Sequence, residues 1–357
     1  MGLEFIKVDR NSKSQLDEFL MFPIKIYGDT PVAMNTVMKT RGLLEAPHNV
    51  GLYIVSREGR ETVGRMSIYV NKSICDPDGI PYGQVGLFEV IEDYGTFCAM
   101  LDYAKKILSE CRSMLFPFFI STWYQYRFIA KKEFYFFFEY PNMPYYPEFA
   151  KRYGVDSTFS YISMLCPYIE KFVEDNMKRY IKVKEDGFYF RNIDMKRFDK
   201  ELETFYKMST AGFADNLFYA DIPFEEFCSL YTKSKSMIVS DFFKIVMFEG
   251  REAGFFYSSP DYTRYFETLD LNFLINRIRL YLGRNRSKGL VLKSTAVLPE
   301  YRSKGVQSAM SCAEAIEAKS RGYEYLIGAF CYVESCSVRP MKVFSKDNIY
   351  ELYTIRI

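Results

Sequence analysis

The sequence predicts an α/β fold of two similar halves, each a mixed central sheet flanked by helices. Three observations carry that expectation. The order helix, hairpin, strand, helix, strand occurs twice. Apolar spacing alternates between the helical and the strand period at successive elements. The 357 residues suffice for two cores of ordinary size, and 48% hydrophobic with 26% charged residues is the balance of a chain that buries them.

In the first half, Asp17 to Met21 reads as an amphipathic helix that Pro23 stops. Gly51 to Val55 and Glu61 to Val70 read as a hairpin around Glu58-Gly59. Tyr82 to Val90 is a strand, and Tyr94 to Glu110 a helix with Phe97, Leu101, Ala104 and Leu108 on one face. Met114 to Ile120 follows as a buried strand. The prolines of Tyr140 to Pro147 keep that segment extended or turned. After a strand at Tyr161 to Cys166, the charged stretch Glu170 to Asp186 connects the halves, so the expected division is 1–168, a connector 169–188, and 189–357. No Gly/Ser linker lies between them, which predicts halves packed on each other.

The second half repeats the order. A helix spans Met195 to Met208, strands span Phe243 to Phe248 and Ala253 to Ser258 around Glu249-Gly250, and a strand runs from Leu290 to Leu298. Val306 to Lys319 is a helix with Val306, Met310, Ala313 and Ile316 inward. A strand at Tyr325 to Val333, a short helix and a last strand at Ile349 to Ile355 complete the chain.

Counts of residue types exclude several chemistries. With one histidine, His48, neither a Ser-His-Asp or Cys-His relay nor a His-rich metal site can be assembled from other histidines. His48 itself, after Pro47 and before a strand, reads as a capping or interface residue. The 8 cysteines form no C-x-x-C pair and no secretory signal precedes them, so reduced thiols in a cytoplasm are expected. A formal charge of +2 gives no field for nucleic acid or an anionic membrane, and no apolar run is long enough to span a bilayer. The basic run Arg277, Arg279, Arg284, Arg286, Lys288 alternates with Leu280, Tyr281 and Leu282 and reads as a solvated helix end.

One segment carries chemistry. Leu298 to Ala309 joins a strand to the first turn of a helix, where unpaired N–H groups and the helix dipole favour a diphosphate. Gly305 allows close backbone approach, Arg302 and Lys304 bring charge, and Ser308 a hydroxyl. Thr295-Ala296-Val297-Leu298-Pro299-Glu300-Tyr301-Arg302-Ser303-Lys304-Gly305 resembles the acyl-CoA motif of the GCN5-related N-acetyltransferases (GNAT). Further stretches resemble a bacterial group of tandem proteins of that kind: Phe22 to Tyr27, Val63-Gly64-Arg65, Gly86 to Glu89 with Glu92-Asp93, Pro144 to Glu148, and Asp194 to Phe198.

The resemblance implies two GNAT-like domains and acyl transfer from acetyl-CoA or another acyl-CoA to a small-molecule or peptidyl amine. It implies that Ala296, Val297, Arg302, Ser303, Lys304, Gly305, Val306, Gln307 and Ser308 hold the co-substrate, with the main chain of Ser294 to Val297 along the pantetheine arm. Tyr332, Tyr350 or Tyr353 is the candidate acid for the departing thiolate and Glu334 the candidate base. Gln307 stands where the family has a small residue. In the first half Phe88 to Thr96 replaces the loop with carboxylates, which cap a helix and repel phosphate. The alternatives are a binding protein without catalysis and a donor held by a carrier protein or aminoacyl-tRNA.

Overall fold

Among the residues that the computed structural model describes, namely 2–57, 61–266, 278, 287–335 and 346–357, 13 strands hydrogen-bond into one continuous sheet. Those of the first half are β1 (Leu3–Lys7), β2 (Gly51–Arg57), β3 (Glu61–Cys75), β4 (Pro81–Val90), β5 (Ser113–Phe116), β6 (Phe128–Lys131) and β7 (Ser157–Cys166). Those of the second are β8 (Phe188–Asn192), β9 (Phe243–Phe248), β10 (Arg251–Pro260), β11 (Gly289–Val297), β12 (Tyr325–Tyr332) and β13 (Lys346–Arg356). Helices α1 (Lys13–Tyr27), α2 (Pro31–Leu44), α3 (Tyr94–Ile107), α4 (Tyr145–Tyr153), α5 (Ile169–Glu185), α6 (Phe198–Phe213), α7 (Phe224–Thr232), α8 (Thr263–Phe266) and α9 (Val306–Ser320) flank the sheet. The Glu58-Gly59 turn, Arg277, Arg279, Arg284, Arg286, Cys336 and the expected short helix before the last strand lie outside the described residues.

The strand order β1-β2-β3-β4-β5-β13-β7-β12-β11-β10-β9-β8 contains an exchange. The last strand of the chain, β13, pairs with β5 of the first half, while β7 pairs with β12 of the second. Tyr353 and Ile355 accordingly pack with Phe88, Phe97 and Phe116 in the first core, and Cys166 packs with Leu290 and Leu326 in the second. A cut near residue 168 therefore separates β13 from β5 and β7 from β12. The segment 169–188 is not a bare connector either, since α5 places Phe172 and Val183 in the second core beside α9.

Other local expectations are corrected. Helix α1 continues through Pro23 to Tyr27. A proline supplies no N–H to the carbonyl four residues back, and that carbonyl, of Phe19, instead accepts from Arg65 Nη1 at 2.9 Å. Helix α2 is additional to the sequence expectation, and it begins where the Thr30 hydroxyl accepts from Ala33 N–H with Pro31 in the first turn. Strand β5 ends at Phe116 because Pro117 cannot donate to the ladder. Pro147 lies in the first turn of α4, where a missing N–H costs nothing, so Tyr145 to Pro147 is helical.

Candidate functional site

Strands β11 and β12 run parallel and pair only from Gly289 opposite Tyr325 to Leu292 opposite Gly328. Beyond that point they part. Lys293 is an extra residue in β11, since Tyr257 of β10 faces Ser294 while Ser258 faces Leu292. On the other side the register of β12 against β7 shifts between Gly328 and Cys331, and Phe330 has φ 56°. The two irregularities open a cleft in which the β12-facing edge of β11 has no ladder partner among the described residues from Lys293 onward.

The cleft leads to the turn before α9. Ser303 and Gly305 both take left-handed backbone, with φ 64° and 80°. Among the described residues no side chain caps α9, and its first main-chain bond runs from Ala309 N–H to the Gly305 carbonyl. The N–H groups of Val306, Gln307 and Ser308 precede that bond and have no carbonyl of the helix to meet. A Cβ on Gly305 would have only Val183 within reach, at 3.8 Å, so it is the positive φ and not space that selects glycine.

Cleft and turn belong to a cavity of about 1490 Å³ between the two halves. Ala296, Val297, Arg302, Ser303, Gly305, Val306, Gln307 and Ser308 line it, and so do Tyr332, Glu334 and Tyr350. The expected positive charge is otherwise engaged. Arg302 pairs with Asp215 at 2.6 Å and donates to the carbonyls of Gly212 and Val297. Lys304 is not in the lining; its ammonium lies 5.7 Å from the Phe248 ring and 5.4 Å from that of Tyr301. The donors at this turn without a helix carbonyl are thus main chain, with Gln307 as a long side chain in the cavity wall.

The candidate acids differ. Tyr350 is buried and donates to Glu139 at 2.5 Å, and burial and that carboxylate push its pKa far up. Tyr353 belongs to the first core and donates to Glu351. Tyr332 keeps contact with the cavity, and burial and neighbouring Glu334 raise its pKa. Cys331 also faces the cavity, but burial pushes its thiol up to about 11, which disfavours the nucleophilic thiolate.

The first half repeats this geometry and closes it. Strands β4 and β5 pair in parallel at only Gly83 with Met114 and Gln84 with Leu115, and Leu87 at φ 44° marks a bulge in β4. There a Cβ on Gly86 would lie 2.6 Å from the Phe118 carbonyl oxygen, so the backbone after β5 fills the cleft. Tyr146 Oη accepts from Val90 N–H, and Tyr145 donates to the Val90 carbonyl. Asp93 caps α3 by accepting from the N–H groups of Gly95 and Thr96, and pairs with Arg57 at 2.5 Å. The donors that a diphosphate would need are already taken.

Three cations in the cavity wall, Lys39, Arg127 and Lys293, escape sequence reasoning. Lys39 belongs to the unexpected α2, and the others are single basic residues in apolar surroundings. His48 joins the halves: its Nε2 lies 2.9 Å from Glu226, which also accepts from Tyr124. Among the described residues no group of His, Cys, Asp and Glu could hold a metal ion, and no described helix is long and apolar enough to cross a membrane.

No protein-family model and no curated protein matches the chain. Solved structures do. A GCN5-related glucosamine N-acetyltransferase region of a fungal multi-domain GH3 beta-N-acetylglucosaminidase is 13% identical with TM-score 0.56, covering 99% of this chain, which in turn spans 38% of that protein. A tandem GNAT protein from the clavulanic acid biosynthesis pathway is 12% identical with TM-score 0.53, over 99% of this chain and 98% of that one. A GCN5-related N-acetyltransferase from Sphaerobacter thermophilus is 8% identical with TM-score 0.51, over 99% and 95%. The chain has the tandem GNAT fold.

Proposed function

We propose that the protein transfers an acyl group from an acyl thioester, acetyl-CoA or another acyl-CoA, to an amine, using the second half alone. The observation that carries this reading is the uncapped start of α9 behind the left-handed Ser303 and Gly305, opening onto the cleft between β11 and β12. A bound thioester supplies an activated carbonyl and a thiolate leaving group.

The main-chain N–H groups of Val306, Gln307 and Ser308, with the Ser308 hydroxyl, hold the diphosphate, and the free edge of β11 at Ser294 to Val297 takes the amide groups of the arm. The parted strands fit such an arm, because a ladder edge without a partner needs donors and acceptors from elsewhere. Glu334 takes the proton from the incoming ammonium. The amine nitrogen then forms the new bond to the carbonyl carbon as the carbon–sulfur bond breaks; Tyr332, protonated at neutral pH, gives its proton to the departing thiolate, and its phenolate takes the second proton that the acylated nitrogen sheds. Tyr350 holds Glu139 and leaves that role to Tyr332.

Release of free CoA thiol from acetyl-CoA in the presence of a panel of small and peptidyl amines tests the reaction. Thiol release that requires an amine, and falls at least tenfold in Y332F, is expected. Tight binding without turnover favours a second reading, a non-catalytic binding protein, to which the engagement of Arg302 by Asp215 lends some support. A donor held by a carrier protein would bypass free CoA and give thiol release only from the loaded carrier.

A further inference from the structure

Part of the cavity wall is built from residues to which the acyl-transfer reading gives no role. Lys39 reaches it from α2 of the first half and Lys293 from the bulge in β11 of the second, and Phe137, Phe138, Tyr140 and Tyr257 frame them. Lys39 Nζ donates to the carbonyls of Phe137 and Glu139, each at 2.8 Å, and lies 5.0 and 4.9 Å from the rings of Phe137 and Tyr140. Lys293 Nζ lies 4.6 Å from the Phe138 ring and 5.7 Å from that of Tyr257. It has no hydrogen-bond or carboxylate partner among the described residues.

Among the described residues neither ammonium has a carboxylate at ion-pair distance. The neighbouring carboxylate, Glu139, is turned to Asn348 and Tyr350. Among the described lining residues the carboxylates are Asp215, held by Arg302, and Glu334, beside Tyr332. Arg127 adds a third cation to the same wall, stacked 4.1 Å from Phe330 and 4.2 Å from Tyr126. Burial pushes Lys39 down to about 7, against the pull of Glu139 and with a further push from Lys293, and burial pushes Lys293 down to about 8. Enclosing unpaired ammonium groups is costly, and aromatic faces offset only part of that cost. An oxyanion entering between them would restore both charges and supply the missing acceptors.

We propose that Lys39 and Lys293 bind an acidic group of the acceptor, a carboxylate or a phosphate monoester, so that the amines acylated here are small molecules that also carry an acid. The identification with the acceptor rests on the acyl-transfer reading; the anion site does not. The two lysines and the α9 turn line the same cavity, so one acceptor can meet the lysines with its acid while its amine meets the thioester.

Two measurements on the full chain separate these claims. Calorimetry with glutarate and with inorganic phosphate, without thioester, is expected to show binding that weakens at least tenfold in K39M and in K293M and is lost in the double variant. Lysine-to-methionine changes remove charge at similar length, and melting curves establish that the variants fold. The tighter probe identifies carboxylate or phosphate as the preferred acid. Failure of both probes to bind at millimolar concentration, or binding that the double variant retains, overturns the proposal, and the latter result assigns the anion to the α9 turn. In turnover with acetyl-CoA, an amino acid is expected to exceed its own amide in kcat/KM by at least tenfold, with a ratio near one in the double variant. Lysine-dependent anion binding without acetyl-CoA binding would sink acyl transfer and leave the anion site standing; acetyl-CoA turnover indifferent to the acid would sink the acceptor assignment.

Discussion

Arg302 Nη1 lies 2.6 Å from the Asp215 carboxylate, which ties the turn before α9 to the end of α6. The guanidinium that sequence reasoning assigns to an anion is a tether of the loop, and the donors that remain at the turn are main chain. Both side chains are partly or largely exposed, at 39% and 73%, so the pair itself contributes at most about 1 kcal/mol to stability. R302A and D215A are therefore expected to weaken thioester binding to a similar extent, through the same loosened loop. If calorimetry finds R302A weaker than D215A by tenfold or more, the guanidinium contacts phosphate directly.

Arg65 stands at the centre of the first half. Its side chain is 1% exposed, it donates to the Phe19 carbonyl left by Pro23 and to Thr40, and it lies 3.9 Å from Glu89. Burial raises Glu89 to about 7 against the opposing pull of Arg65 and the hydroxyls of Tyr146 and Tyr27. R65M removes the partner of a buried carbonyl and a buried carboxylate together, and a loss of about 3 to 5 kcal/mol in urea unfolding is expected. R65M with E89Q should recover part of that loss; equal losses in both would show that the ion pair is not what holds this centre.

Glu314 of α9 is fully buried near Lys244 and Ser258, and burial raises its carboxyl to about 8. Between its ordinary value near 4.5 and 8, the folded state binds more protons than the unfolded one, so stability falls as pH rises across that window. E314Q removes the ionisation. Its stability relative to the parent should climb from pH 5 to pH 8, and a difference independent of pH would show that Glu314 does not titrate there.

Asp93 tests the closure of the first half. D93A frees the N–H groups of Gly95 and Thr96 at the start of α3 and should cost about 0.5 to 2 kcal/mol as a lost cap. It should create no second thioester site, because Phe118 backbone and the Tyr145 and Tyr146 hydroxyls still occupy the cleft. A second site in D93A, detected by equilibrium dialysis, would mean that charge alone had kept the first half empty.

Local signals carry much of the fold. The hairpin strands, α3 and the turn at Gly305 are legible because strand alternation, a helical apolar face and a glycine before a helix are properties of neighbouring residues. Pairing between distant segments leaves no such mark: nothing in Lys346 to Arg356 says that it pairs with β5 instead of β12. The same holds for the site. Gly305 and the N–H groups after it are readable, whereas the partner of Arg302 lies 87 residues away. Lys39 and Lys293 come together only because α2 and the β11 bulge meet at one cavity, and Thr30-Pro31, the one local sign of α2, is two residues long.

The central claim is one main-chain cradle per chain, at α9. Calorimetric titration of the full chain with acetyl-CoA, beside G305V, tests it most directly. One site per chain is expected, with affinity at least tenfold lower in G305V because valine resists the positive φ that the cradle needs. Two sites per chain, or a G305V variant that folds and binds acetyl-CoA as tightly as the parent, would contradict it.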